Sequence, residues 1–172
     1  MTRPVLLTLL ISIGISLSSP TAARADRAKK LKAAFVYNFM KFVDWPDELA
    51  SANTPLRLCF VGRDRNTGLE QLAGKTVRGR LIRTEKVSSV GRVKACHVLV
   101  VSRGVLESQY LKAAKQGNVL TVSDVVGFTK RGGVIELFQD RGRYRFKISM
   151  DATHAAHLHL RSQLLKLAEI VD

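Results

Sequence analysis

Three histidines within six residues, two cysteines and a Gly-Lys-Thr run are the groups in this chain whose types and spacing could do chemistry. His154, His157 and His159 invite a zinc site, because zinc takes convergent neutral imidazoles. On a helix, however, His154 and His157 share a face with Arg161, while His159 lies about 160° from His157. The three cannot meet on one ion, and a guanidinium beside the remaining pair opposes a cation. Gly68 to Gly74-Lys75-Thr76 ends like a phosphate-binding loop, but five residues separate the glycines where the motif has four, and no strand runs directly into it. Cys96 and His97 are adjacent, so on a strand they point to opposite faces and cannot form a thiolate–imidazole dyad. There is no Gly-x-Ser-x-Gly elbow, and the 14 acidic residues are thinly spread without an obvious carboxylate pair. The expectation is a non-enzymatic protein with no catalytic residues, no metal and no cofactor.

The cysteines are better read through the compartment. Met1 to Ala25 has the three parts of a secretory signal: Arg3, an apolar run from Val5 to Leu17, and the small-x-small site Ala23-Arg24-Ala25. The run is 13 residues long, short of the roughly 20 that span a bilayer. Residues 1–25 are therefore expected to be cleaved, leaving no membrane span and a single domain over 26–172. In an oxidising compartment Cys59 and Cys96 point to one disulfide; the alternative is two small buried hydrophobes.

The formal charge is +14, and loss of Arg3 and Arg24 with the signal lowers it by only two. Such a balance implies nucleic acid, a membrane surface or an acidic partner. Export removes nucleic acid from that set. The arginines are scattered from Arg57 to Arg145, so the plain alternative is a solvated surface.

Around these residues the chain alternates strands with helices. Leu31, Phe35, Phe39 and Phe42 are spaced four, four and three apart, one side of a helix that Trp45-Pro46 closes. Strands are expected at Leu56–Val61, Leu81–Lys86, His97–Val101 and Val119–Val122, with helices at Asn66–Leu72 and Leu106–Gln116, the latter ended by Gly117-Asn118. Val134–Phe138 and Arg143–Ile148 flank a turn at Asp140–Gly142 and read as a hairpin. Asp151 to Val171 reads as one long closing helix with a core stripe of Leu160, Leu164, Leu167, Ala168 and Val171. The expected fold is α/β: a single-domain three-layer sandwich, a mixed β-sheet flanked by helices, with a long C-terminal helix.

Six segments in this order carry a further signal: Tyr37-Asn38-Phe39 with Trp45-Pro46, Cys59-Phe60-Val61-Gly62, Cys96-His97-Val98-Leu99, Leu120 to Asp124, Gly132-Gly133-Val134-Ile135, and Ser162 to Ala168. Together they resemble the YfiR-like family of exported proteins over the mature chain. The resemblance implies a periplasmic repressor that binds the periplasmic domain of an inner-membrane diguanylate cyclase, or a related receptor, and keeps cyclic di-GMP low. Better-known members carry a second cysteine pair in the C-terminal half, which Val134 to Met150 lacks here.

Strand Arg143–Ile148 and the flank of the closing helix adjoin in sequence, so they are expected to form one partner-binding surface. Arg145, Phe146, Ile148, His157 and Arg161 are its candidates, with Tyr144 as an alternative aromatic. The helix flank could equally bury against a second copy of the chain. The rival expectation is a periplasmic small-solute binding or sensor protein, with Tyr37, Phe39 and Trp45 lining a pocket.

Overall fold

Helix α1 (Pro20–Lys41) opens the fold and buries Ala33, Val36, Phe39 and Met40. Of the stripe expected from the sequence, Phe39 is buried, Phe35 and Phe42 are half-buried and Leu31 is exposed, so the helix is rolled about its axis from the expected face. The computed structural model describes residues 20–46, 54–63, 67–105 and 107–171. Residues 1–19 of the expected signal segment, together with Asn66 and Leu106, lie outside the described residues. Ala22 to Arg27, which contain the expected cleavage site, are exposed on the first turns of α1.

The remaining elements are β1 (Val43–Asp44), β2 (Leu56–Val61), β3 (Thr76–Val77), β4 (Arg80–Lys86), β5 (Val98–Val101), α2 (Glu107–Gln116), β6 (Leu120–Ser123), β7 (Ile135–Asp140), β8 (Arg143–Ser149), α3 (Met150–Ala155), β9 (His159–Leu160), α4 (Ser162–Leu165) and β10 (Glu169–Val171). Where a helix was expected over Asn66–Leu72, a single 3₁₀ turn forms at Leu69–Leu72, preceded by Gly68 in the left-handed region. Eight strands form one mixed sheet in the order β10-β8-β7-β6-β5-β2-β4-β3. Its centre, β4-β2-β5-β6-β7, is parallel throughout. Antiparallel hairpins extend both ends, β3 on β4 and β8 on β7. Both turn on Arg-Gly pairs with positive φ at each residue, Arg78-Gly79 and Arg141-Gly142, the handedness that matches the strand twist in a two-residue loop.

Alternation along β2 shows the two faces. Leu56, Leu58 and Phe60 join α1 in one apolar cluster, while Cys59 and Val61 join α2 and the 3₁₀ turn Val90–Ala95 in another. Among the described residues no helix is long and apolar enough to cross a membrane.

Two expected elements are corrected. Helix α1 stops at Lys41, short of Trp45, because Val43 and Asp44 leave it to pair antiparallel with Leu160 and His159. The long closing helix over Asp151–Val171 does not form. Helix α3 ends after one and a half turns in a Schellman motif: the Leu158 amide donates to Thr153 O and the His157 amide to His154 O, with His157 left-handed at φ 51. The freed segment supplies β9 to β1 and then β10, parallel to β8 at the sheet edge. Pairing two otherwise open strand edges satisfies backbone groups that a solitary helix would leave exposed on those strands.

Candidate functional site

Several of the sequence landmarks converge at the start of β5. Cys59 and Cys96 form a disulfide with Cα atoms 5.9 Å apart, 0% and 2% exposed respectively. Trp45 donates from Nε1 to the His97 carbonyl at 3.2 Å and lies edge-on to the His97 ring. The imidazole in turn accepts from the Arg57 amide at Nδ1 and meets the Arg80 guanidinium at Nε2, 3.0 Å away. Trp45-Pro46 and Cys96-His97 are thus two halves of one structural joint. Tyr37 donates to Thr76 O, and Phe39 and Trp45 are core residues. None of the three lines the large cleft described below, which corrects the expected aromatic pocket.

The expected partner residues are spread over the molecule. Phe146 and Ile148 are buried, Phe146 against the rings of Phe35 and Phe39 on the α1 side. They support β8 from beneath instead of meeting solvent. Arg145 is exposed on the opposite side of the strand and pairs with Asp140 at 3.3 Å. Arg161 binds Asp44 through both Nε and Nη2 at 3.0 Å, and Arg78, on the β3–β4 turn, binds the same carboxylate. Arg161 is therefore tied to the β3–β4 end of the sheet, whereas Arg145 stands on β8 next to the opposite edge. The two arginines do not share one surface. His157 is exposed, and His159 Nδ1 lies 3.6 Å from Asp44.

Asp44 is the centre of this ion cluster. Hydrogen bonds from Arg161 first, then Arg78, outweigh its partial burial and hold the carboxyl well below the usual carboxylate range. Glu85 is lowered the same way by Arg57 and Arg92.

A cleft of about 890 Å³ opens on the α2 face of the sheet. Helix α2 covers one half of this face. Over β7, β8 and β10 the cover is the loop Val126–Gly132 and the short helix α3. Gly133 explains how that loop is held: a Cβ there would stand 2.1 Å from the Phe128 ring, so the ring packs directly on glycine backbone. The floor is polar. Thr121, Glu136 and Ser149 are buried there, and Glu136 faces Lys147 across the β7–β8 pair. Lys112, Lys115 and Lys130 stand exposed at the wall.

Sequence and structure comparisons then place the chain among known proteins. The YfiR/HmsC-like family model matches residues 29–169. The chain belongs to the YfiR/HmsC-like family. No curated protein matches it. Eight solved chains do, among them a conserved domain protein from Vibrio cholerae O1 biovar El Tor, with a TM-score of 0.56 at 10% identity. That match covers 84% of this chain and spans 60% of the Vibrio chain, a likeness of fold. Within the YfiR/HmsC-like family the members act in regulating cyclic di-GMP signalling.

In this family member the reading of the sequence missed the cleft. A signal was present: at the α2-facing positions, β2 and β5 carry Cys59, Leu99 and Val101, but the next strands carry Thr121, Ser123, Glu136 and Lys147. Polar residues at consecutive inward positions mark a part of the face that α2 does not cover.

Proposed function

We propose that the chain is exported, loses residues 1–25, and acts in the periplasm as a non-enzymatic regulator. It binds the outward-facing domain of an inner-membrane diguanylate cyclase and holds cyclic di-GMP down. The observation that carries this reading is the family match over residues 29–169. The buried disulfide supports an oxidising compartment. The high positive charge supports an acidic partner, through steering that salt would screen. Contacts are proposed at exposed Arg145 and His157 and, separately, at Arg161. Leu167 and Ile170, 72% and 45% exposed near the sheet edge, supply apolar area for the partner or for a second copy of the chain.

Deleting the gene and measuring cellular cyclic di-GMP tests the function. A rise that the wild-type gene reverses, with a membrane cyclase recovered in a pull-down, is the expected result. Unchanged cyclic di-GMP and no cyclase in the pull-down refute it. Charge reversal at Arg145 and at Arg161, each checked by circular dichroism, maps the contact.

A second reading, a sensor for a periplasmic solute, is favoured by the cleft on the α2 face. It predicts a melting temperature that rises with ligand concentration.

A further inference from the structure

We propose that the cleft between α2, the loop Val126–Gly132 and α3 is a binding site for a small organic anion that also carries a hydrogen-bond donor. A sheet face buried by protein is apolar, as it is under α2 at Leu99 and Val101. The floor beyond it is neither apolar nor open to bulk water. Glu136 is only 3% exposed, Thr121 3% and Ser149 5%.

Glu136 is the group that needs explaining. Its Oε2 accepts from the Thr129 amide and hydroxyl, both at 3.2 Å. No cation pairs with it among the described residues, since Lys147 Nζ is drawn to Glu169 and over the Phe138 ring instead. A buried carboxylate without a counter-charge is costly unless hydrogen bonds compensate it. A donor on a bound molecule would supply that compensation. Thr121 Oγ1 and Ser149 Oγ each accept a backbone amide, from Val134 and Ala152. Neither hydroxyl proton has an acceptor among the described residues, so both can donate into the cleft.

The walls select the opposite end of the ligand. Lys112 and Lys115, one turn apart on α2, and Lys130 across the opening form no ion pair among the described residues. Arg131 is committed to Glu107. Asp151 is the acidic residue of the rim, and it does not offset three lysines. Leu111, Val134, Ala155 and Ala156 also line the cleft, small or apolar surfaces suited to a flat hydrocarbon body. A volume of about 890 Å³ falls in the usual range for small-molecule sites.

Anilinonaphthalene sulfonate is a suitable probe: an anion with an apolar aryl body and one N–H. Phenylnaphthylamine, the same frame without the sulfonate, is its neutral control. Fluorescence titration of the isolated protein should show saturable binding of one sulfonate probe per chain, about tenfold tighter than the neutral compound. Lys112→Glu/Lys115→Glu, on the exposed side of α2, should weaken the sulfonate probe about tenfold while leaving the neutral one unchanged. Ala155→Phe should block both. Absence of saturable binding overturns the site. So does equal affinity for the two compounds, or affinity indifferent to the charge reversal with circular dichroism unchanged. Because the titration uses the isolated protein, its failure leaves the cyclase reading untouched, and the converse holds.

Discussion

Reducing the Cys59–Cys96 bridge should cost this domain about 4 kcal/mol, a magnitude that follows from its place in the chain. The bridge spans a sequence separation of 37. In the chain-entropy account a loop of that size removes about 13 cal/mol/K from the unfolded chain, about 4 kcal/mol at room temperature. That is a large share of the roughly 5–15 kcal/mol that holds a typical domain together. Urea unfolding of the oxidised protein and of the same protein in a thiol-free reductant compares one sequence with and without the bridge. With an m-value of about 2 kcal/mol/M the midpoint should fall by about 2 M. Burial adds a kinetic expectation. Both sulfurs lie beneath α2 and the 3₁₀ turn Val90–Ala95, so reductant must wait for the domain to open. The rate of reduction in native buffer should then level off as reductant is raised, at the opening rate. A loss below about 1 kcal/mol, or a reduction rate that climbs in proportion to reductant without limit, would rule out a buried bridge that holds the domain together.

Asp44→Asn should lose about 1 kcal/mol at neutral pH, the modest value expected of a partly exposed ion cluster. Because the folded carboxyl is held below its unfolded range, its contribution is present above about pH 4 and lost as pH falls below it; wild type should lose stability there more steeply than the variant, and parallel pH–melting curves would contradict this. His157→Gly should stabilise by about 0.5–1 kcal/mol by relieving a left-handed non-glycine residue, read by thermal melting, and a fall would argue against the Schellman closure. Gly133→Ala should destabilise by at least about 1–3 kcal/mol, since the added methyl meets the Phe128 ring, and an unchanged melting point would show that the ring can move away. Mass analysis of periplasmic protein should find a chain beginning at Asp26, and that chain should fold, since Ala22 to Ala25 are exposed; an intact Met1 in that fraction would reject cleavage.

Much of the fold is local enough to read from the chain. The run Leu56–Val61, the β-branched strand before Ser102, the helix ending at Gly117-Asn118 and the hairpin at Asp140–Gly142 each follow from periodicity and turn chemistry acting over a few residues. A bridge is also suggested by two cysteines in a chain with an export signal, although Cys96 caps the 3₁₀ turn before β5 instead of lying on the strand. The closing segment defeated the same reasoning. Leu160, Leu164 and Leu167 have helical spacing, and the signal that stops α3 is a histidine in a conformation usually taken by glycine.

The chain on its own carries which residues seek burial, which turns can form and the family, and it leaves the two cysteines open between a bridge and buried thiols. Tertiary structure alone decided that the C-terminal segment breaks into strands, that Arg145 and Arg161 stand at different ends of the sheet, and that β7, β8 and β10 keep an uncovered polar floor. The reason is physical. Periodicity encodes the apolar face of an element, but a vacant strand edge or a missing helix cover is a property of the whole assembled sheet. Pairing those edges satisfies backbone groups of β1 and β8 that a helix over residues 151–171 would leave open, which opposes the local helical preference of that segment.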